Sequence, residues 1–361
     1  MKNSSKISNG VENKFDYSKI CSELISDLKE REKEIISRRF GLNGKDRETL
    51  ESIGQDFGIS RERVRQIQKV GIEKIKSKLS PYQKVFQSFL EYFKKFGNLR
   101  KEENVLAELG GNRWKNEVYF LLTLQKPSGT KSREVKDETK SQRPQFQRLG
   151  EDDDFYSLWT TDLDSFNLAK KVIDSLTLQL QKIGRPLRFE ELNPGVILGG
   201  SSLKKEVLLS FLEISKKIQK NPEGLYGLKD WPEINPRGIK DKAYLVFKKV
   251  GKPLHFRQVT KLIENAHLQT VHNELIKDSR FVLVGRGIYA LSEWGYYPGQ
   301  VKEVILKILK ESEKPLKKEE ILEKVLSQRL VKENTILLNL SDRKYFLKDS
   351  LGRYRPKTEI I

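Results

Sequence analysis

Apolar residues recur at helical spacing through the first eighty positions. Ile20, Leu24 and Leu28 fall at i, i+4 and i+8, and Ile35, Ile36 and Phe40 follow them. Thr49 can cap a helix carrying Leu50, Ile53 and Phe57. Gly58 interrupts that helix, and Ser60 can cap another carrying Val64, Ile67, Ile72, Ile75 and Leu79. The pattern predicts a domain of four helices over residues 15–80, with one tight glycine turn before the last and Pro81 closing the segment. Residues 1–14 are polar and aperiodic, which predicts a disordered tail.

Beyond this head the dominant signal is a repeat. Gly184-Arg185-Pro186-Leu187 returns as Gly251-Lys252-Pro253-Leu254 and as Glu313-Lys314-Pro315-Leu316. Gly224-Leu225-Tyr226-Gly227-Leu228 returns as Gly287-Ile288-Tyr289-Ala290-Leu291, with a weaker echo at Leu351-Gly352-Arg353-Tyr354. An amphipathic helix precedes each Pro-Leu turn, as over Lys242–Val250. One or two helices follow it, and then alternating residues such as Phe281–Val284 and Ile288–Leu291. Three helices closed by a two-stranded hairpin make a winged helix. The expected fold is mainly α: a helix-turn-helix head plus tandem winged-helix units with small β-hairpins. The units fall at 161–235, 236–297 and 298–361, with a degenerate one at 81–160 whose polar insert, 126–150, is expected to be mobile.

Composition narrows the chemistry. No apolar run among the 361 residues approaches the ~18–20 that a membrane span needs. The polar start carries no signal peptide, and the single cysteine excludes internal disulfides, so a cytoplasmic protein without membrane contact is expected. The 69 Lys and Arg exceed the 50 Asp and Glu for a net charge of +19, which favours a polyanionic partner. Gly285-Arg286-Gly287-Ile288-Tyr289-Ala290 fits a dinucleotide-binding string, but a strand follows it instead of a helix, so it reads as a hairpin turn. His255, His267 and His272 lack metal-ligand spacing, and Cys21 lies on an apolar helix face. No catalytic motif, metal site or cofactor is expected.

The most informative stretch is Leu50 to Ile67. It reads as helix, glycine turn and capped helix, whose first turns present Arg61, Glu62, Arg63, Arg65 and Gln66. In a helix-turn-helix the second helix enters the major groove by its N-terminal residues, where Arg reads guanine and Gln reads adenine. Seven Lys and Arg against two Glu between Ser60 and Ser80 add phosphate-binding charge.

Leu28-Lys29-Glu30-Arg31-Glu32-Lys33-Glu34-Ile35-Ile36-Ser37-Arg38-Arg39-Phe40-Gly41-Leu42, with the helix-turn-helix after it, resembles region 4 of bacterial primary sigma factors over about residues 17–79. The resemblance implies that Arg61, Glu62 and Gln66 face bases of the minus-thirty-five promoter element. Arg31, Arg39, Arg63 and Arg65 take phosphate-facing or supporting places, with Lys69 and Lys74 as further DNA contacts. It also implies RNA polymerase core as a partner, through the beta flap, and a bacterial, nucleoid-associated protein. An exposed apolar remainder at Leu24, Leu28 and Ile35 is the expected flap contact. The sequence departs from the family at Ser52, Val70, Gly71 and Glu73, and no segment resembles sigma region 2. The later units are similar to HARE-HTH winged helices, including that of the polymerase delta subunit, most clearly over 239–295. A non-enzymatic, sigma-factor-like protein reading double-stranded promoter DNA is the leading expectation. The alternatives are a polymerase-independent repressor or architectural protein, and an accessory subunit of a restriction or repair nuclease.

Overall fold

The computed structural model describes residues 15–125, 146–193, 203–312 and 314–357. The expected tail at 1–14 and most of the polar insert lie outside them. The chain divides into two compact units, Met1–Lys229 and Asp230–Ile361.

The first unit opens with α1 (Tyr17–Ile25), α2 (Glu30–Phe40), α3 (Leu50–Asp56) and α4 (Arg61–Lys76). The caps named by the sequence are in place: the Thr49 hydroxyl accepts from the Ser52 amide at 3.1 Å, and that of Ser60 accepts from the Arg63 amide at 3.2 Å. Next come α5 (Gln83–Lys95), β1 (Leu99–Lys101), α6 (Glu102–Gly110), α7 (Lys115–Leu124), β2 (Gln147–Leu149) and β3 (Leu158–Thr160). The strands form an antiparallel sheet in the order β1-β3-β2. Among the described residues, 81–160 carry the helix–strand–helix–helix–strand–strand order of a winged helix. The insert also ends earlier than expected, because Phe146 is fully buried and Gln147–Leu149 pair with β3. α8 (Leu163–Ile183), α9 (Lys205–Ile214), β4 (Ile218–Lys220) and β5 (Tyr226–Leu228) complete the unit.

The second unit runs through the order once in full and once with its first strand reduced to an isolated bridge at Leu316. α10 (Gly238–Val250), β6 (Leu254–His255), α11 (Phe256–Leu262), α12 (Leu268–Lys277), β7 (Phe281–Gly285) and β8 (Ile288–Leu291) come first. α13 (Val301–Glu311), α14 (Lys318–Gln328), α15 (Glu333–Leu340), β9 (Phe346–Lys348) and β10 (Tyr354–Pro356) follow. The Gly285-Arg286-Gly287 string is the bulged turn between β7 and β8.

The repeated motifs now have a physical meaning. Leucine of each Pro-Leu turn pairs through its backbone with tyrosine of the closing hairpin: Leu187 with Tyr226, Leu254 with Tyr289, Leu316 with Tyr354. Gly184 and Gly251 end the first two preceding helices as left-handed C-caps, the proline two residues on bars their continuation, and the leucine after it supplies a single bridge or a short strand while its side chain enters the core.

One expected boundary is not a boundary. Tyr17, Cys21, Leu24 and Leu28 share a single core with Phe86, Phe89, Phe93, Phe120 and Trp159. The four-helix head and the winged helix after it therefore bury their apolar faces on each other, and the head keeps to itself only the small cluster of Ile35, Ile53 and Val64. The units at 236–297 and 298–361 each do own one, centred on Phe247 and Tyr289 and on Ile305 and Ile321.

Candidate nucleic-acid interface

α3 and α4 meet through a small cluster in which Ile35, Ile53 and Val64 are fully buried and Leu50, Phe57, Ile59 and Ile67 pack around them. Gly58 holds φ at 62°, a left-handed conformation that costs a residue with a Cβ, and lets the chain reverse within Phe57–Ile59. The Ile59 amide then donates to the Gly54 carbonyl at 2.9 Å, which locks the turn.

This scaffold leaves the start of α4 in solvent. Arg61, Glu62, Arg63, Arg65, Gln66 and Lys69 are all exposed along two turns. Glu62 accepts two hydrogen bonds from the Arg65 guanidinium, at 2.8 and 2.7 Å, and this pairing holds its carboxyl below the usual range. Arg63 donates to the Gln66 side-chain oxygen at 3.1 Å. The row thus offers planar bidentate donors, an amide and one fixed carboxylate, the groups that match base edges in a major groove.

The remaining expected residues play other parts. Arg39 donates to the Glu48 carbonyl at 2.5 Å, and the exposed Arg31 lies 5.6 Å from the centre of the Phe57 ring. Lys74 is bound to both Glu32 carboxylate oxygens at 2.8 Å, which lowers the Glu32 carboxyl and leaves less of the lysine's charge for a phosphate. Arg38 carries a role that the sequence reading missed. Its guanidinium bonds Glu48 at 2.8 and 2.6 Å and also Asp56, so it ties both ends of α3 to α2. Nothing local to residues 38, 48 and 56 signals that triangle; only the fold brings the three together.

Leu24, Leu28 and Ile35 correct an expectation. All three are buried, so they offer no groove to a partner. Leu24 and Leu28 lie in the core shared with α7, where Phe120 is 5.0 Å from Phe40 and the N-cap residue Trp114 is 5.9 Å from Tyr17, while Ile35 is buried against Ile53 and Val64 of α3 and α4. The Cys21 thiol faces the Glu117 carbonyl in the shared core, and burial pushes its pKa up, which disfavours the thiolate.

The helix before the hairpin is the usual reading helix of a winged helix, and in the first unit neither α7 nor α9 is free. α7 is spent on the head. α9 packs on β1, with the Ser210 hydroxyl donating to the Leu99 carbonyl at 2.5 Å and Glu213 accepting from Arg100 at 3.0 and 2.8 Å. α12 does face solvent, but with Leu268 and Ile276 among its exposed residues. His255 and His272 stack on the two sides of Phe256 at 4.6 and 4.4 Å. Among the described residues no group of three or more His, Cys, Asp or Glu could hold a metal ion, and no helix is long and apolar enough to cross a membrane.

Comparison with known proteins agrees with the local geometry. Residues 24–77 match the family described as Sigma-70, region 4. The chain is 40% identical over 68 residues to the RNA polymerase sigma factor RpoD of Helicobacter pylori, covering 19% of this chain and 10% of that protein. It is 44% identical over 55 residues to the RNA polymerase sigma factor sigB of Arabidopsis thaliana, covering 15% and 10%. The chain spans about a tenth of the length of these curated relatives. The segment holding α2, α3 and α4 is thus similar to region 4 of the sigma-70 factors, and that likeness covers the head alone.

Proposed function

We propose that this chain is a non-enzymatic transcription protein whose head reads double-stranded promoter DNA through α4. The observation that carries the reading is the exposed row Arg61, Glu62, Arg63, Arg65, Gln66 and Lys69 on a capped helix behind a tight turn. The net charge of +19 supports a nucleic-acid partner, because neutralised phosphates release counterions. RNA polymerase is the second partner in this reading, supported by the likeness of residues 24–77 to region 4. Contact with the polymerase core, the beta flap included, falls to exposed residues and not to Leu24, Leu28 or Ile35.

The winged helices after the head, similar to HARE-HTH modules, extend these contacts. With α7 and α9 committed to packing, protein contact suits the exposed α12 better than base reading does, since Leu268 and Ile276 carry no base-edge donors. The burial of Leu24, Leu28 and Ile35 favours one second reading, a DNA-binding repressor or architectural protein acting without polymerase.

Two measurements separate these readings. Selection of bound duplexes from a random pool tests promoter reading, and co-purification of the full chain with polymerase core tests the partner. A recovered motif with polymerase bound supports the first reading, and a motif without polymerase supports the second. Failure to enrich any motif would overturn base reading by α4.

A further inference from the structure

The start of α7 does more than cover the head. The Asn116 side-chain amide donates to the main-chain oxygens of Gly41 at 3.2 Å and Lys45 at 3.1 Å, so the loop between α2 and α3 is tied to the first turn of α7. One turn further on, the Arg47 guanidinium lies 4.1 Å from the centre of the Tyr119 ring. The two contacts lay residues 45–47 along the start of α7, and Lys45, Arg47, Arg113 and Lys115 are all exposed on these joined segments. The acids nearby cancel this charge only in part. Asp46 is exposed between Lys45 and Arg47 and offsets one of the four cations, Glu48 is engaged by Arg38, and Glu117 is buried.

The position of this cluster matters. In a docked helix-turn-helix the first helix of the pair crosses the sugar-phosphate backbone. Here that helix is α3, and the loop bearing Lys45 and Arg47 enters it directly through the Thr49 cap. A cationic surface that continues the loop onto α7 extends the path that such docking gives to the backbone beyond α3. We propose that Arg113 and Lys115, together with Lys45 and Arg47, form a second contact to the backbone of double-stranded DNA. The DNA-binding surface is then built by the head and the winged helix jointly, although the buried face of α7 reads no bases. This inference rests on the proposed DNA reading of the head.

The test uses the full chain carrying Arg113→Ala and Lys115→Ala, titrated across salt on a duplex holding the selected site. Two lost phosphate contacts lower the slope of log affinity against log salt by about 1.8. Affinity falls alike on specific and scrambled duplexes, and base preference stays unchanged. Trimming one flank of the duplex removes the difference between wild type and variant, which locates the contact. Both sites are exposed, so melting temperatures should match; should the alanine pair melt lower, Arg113→Gln with Lys115→Gln replaces it. An unchanged slope in a folded variant, while Arg61→Ala still weakens specific binding, overturns the second contact and leaves the reading helix standing. A lowered slope with base preference indifferent to Arg61→Ala has the opposite meaning: the second contact stands and the reading helix falls. A wild-type chain that binds no duplex overturns both.

Discussion

Gly71 on α4 lies directly against Ile36 on α2: a Cβ at position 71 would come within 2.6 Å of the Ile36 Cδ1 atom. Glycine inside a helix costs about 1 kcal/mol relative to alanine. Here that cost is offset, because the missing side chain lets the two helices close on each other. Gly71→Ala should therefore lower stability, by roughly 1 kcal/mol, since overpacking at about 1–3 kcal/mol outweighs the gain in propensity. Ile36→Val removes the offending atom at a cost of about 0.5–1.5 kcal/mol. The double substitution should be more stable than the sum of the single effects, a coupling that denaturant melts of the four chains would read. Additive effects would show that the close approach is not what selects glycine.

Base reading gives a sharper contrast. Arg61→Ala and Gln66→Ala should each lose about 1–3 kcal/mol on a preferred duplex and relax specificity at one position each. Lys69→Ala should weaken every duplex alike and reduce the salt slope by about 0.9. Lys74→Ala should change that slope less than Lys69→Ala, because Glu32 already holds Lys74 at 2.8 Å. Equal slopes for the two lysine variants would mean that DNA displaces the Glu32 pair.

Leu24 distinguishes a core position from a docking position. It is 2% exposed within the core that the head shares with the winged helix. Leu24→Glu buries a carboxylate among apolar side chains and should destabilise the first unit by several kcal/mol. Leu24→Met keeps volume and polarity, and should cost less than about 1.5 kcal/mol. Thermal melting compares them; a Leu24→Glu chain that melts like wild type would place Leu24 on an open face.

Glu117 on α7 should make stability fall with rising pH. Burial raises its carboxyl above the usual 4.5, with Arg113 offsetting only part of the shift. The folded state therefore holds a proton that the unfolded state has lost, and stability declines from pH 4.5 up through the raised value before levelling off. Glu117→Gln removes the ionisation, so it should raise the melting temperature at neutral pH and flatten its dependence on pH in that window. Identical profiles for wild type and Glu117→Gln would show that the carboxyl ionises freely.

Much of this was legible along the chain. Thr49, Gly58 and Ser60 act within three or four residues of themselves, so the caps and turn of the helix-turn-helix follow from local chemistry. The exposed face of α4 follows as well, because helical spacing puts Val64, Ile67 and Ile75 on one side and the Arg61-to-Gln66 row on the other. The Pro-Leu and Gly-x-Tyr repeats likewise marked strands that pair through Leu187 and Tyr226, Leu254 and Tyr289, and Leu316 and Tyr354.

What covers an apolar stripe was not legible. Ile20, Leu24 and Leu28 have the same spacing whether a partner protein or a helix a hundred residues away lies over them, because periodicity records which side avoids water and not what replaces it. α7 has the strand and helix neighbours of a reading helix, yet it is buried against α1 and α2, and the Arg38 bonds to Glu48 and Asp56 arise separately where α2 meets α3. The exposed face of α4, the turn and the repeated units are products of short-range geometry and could be read along the chain. That the head and the first winged helix are one body came from long-range packing, because burying large aromatic faces such as Phe86, Phe89 and Phe120 stabilises whichever pairing of elements excludes water from them, and that choice is made between segments far apart in the chain.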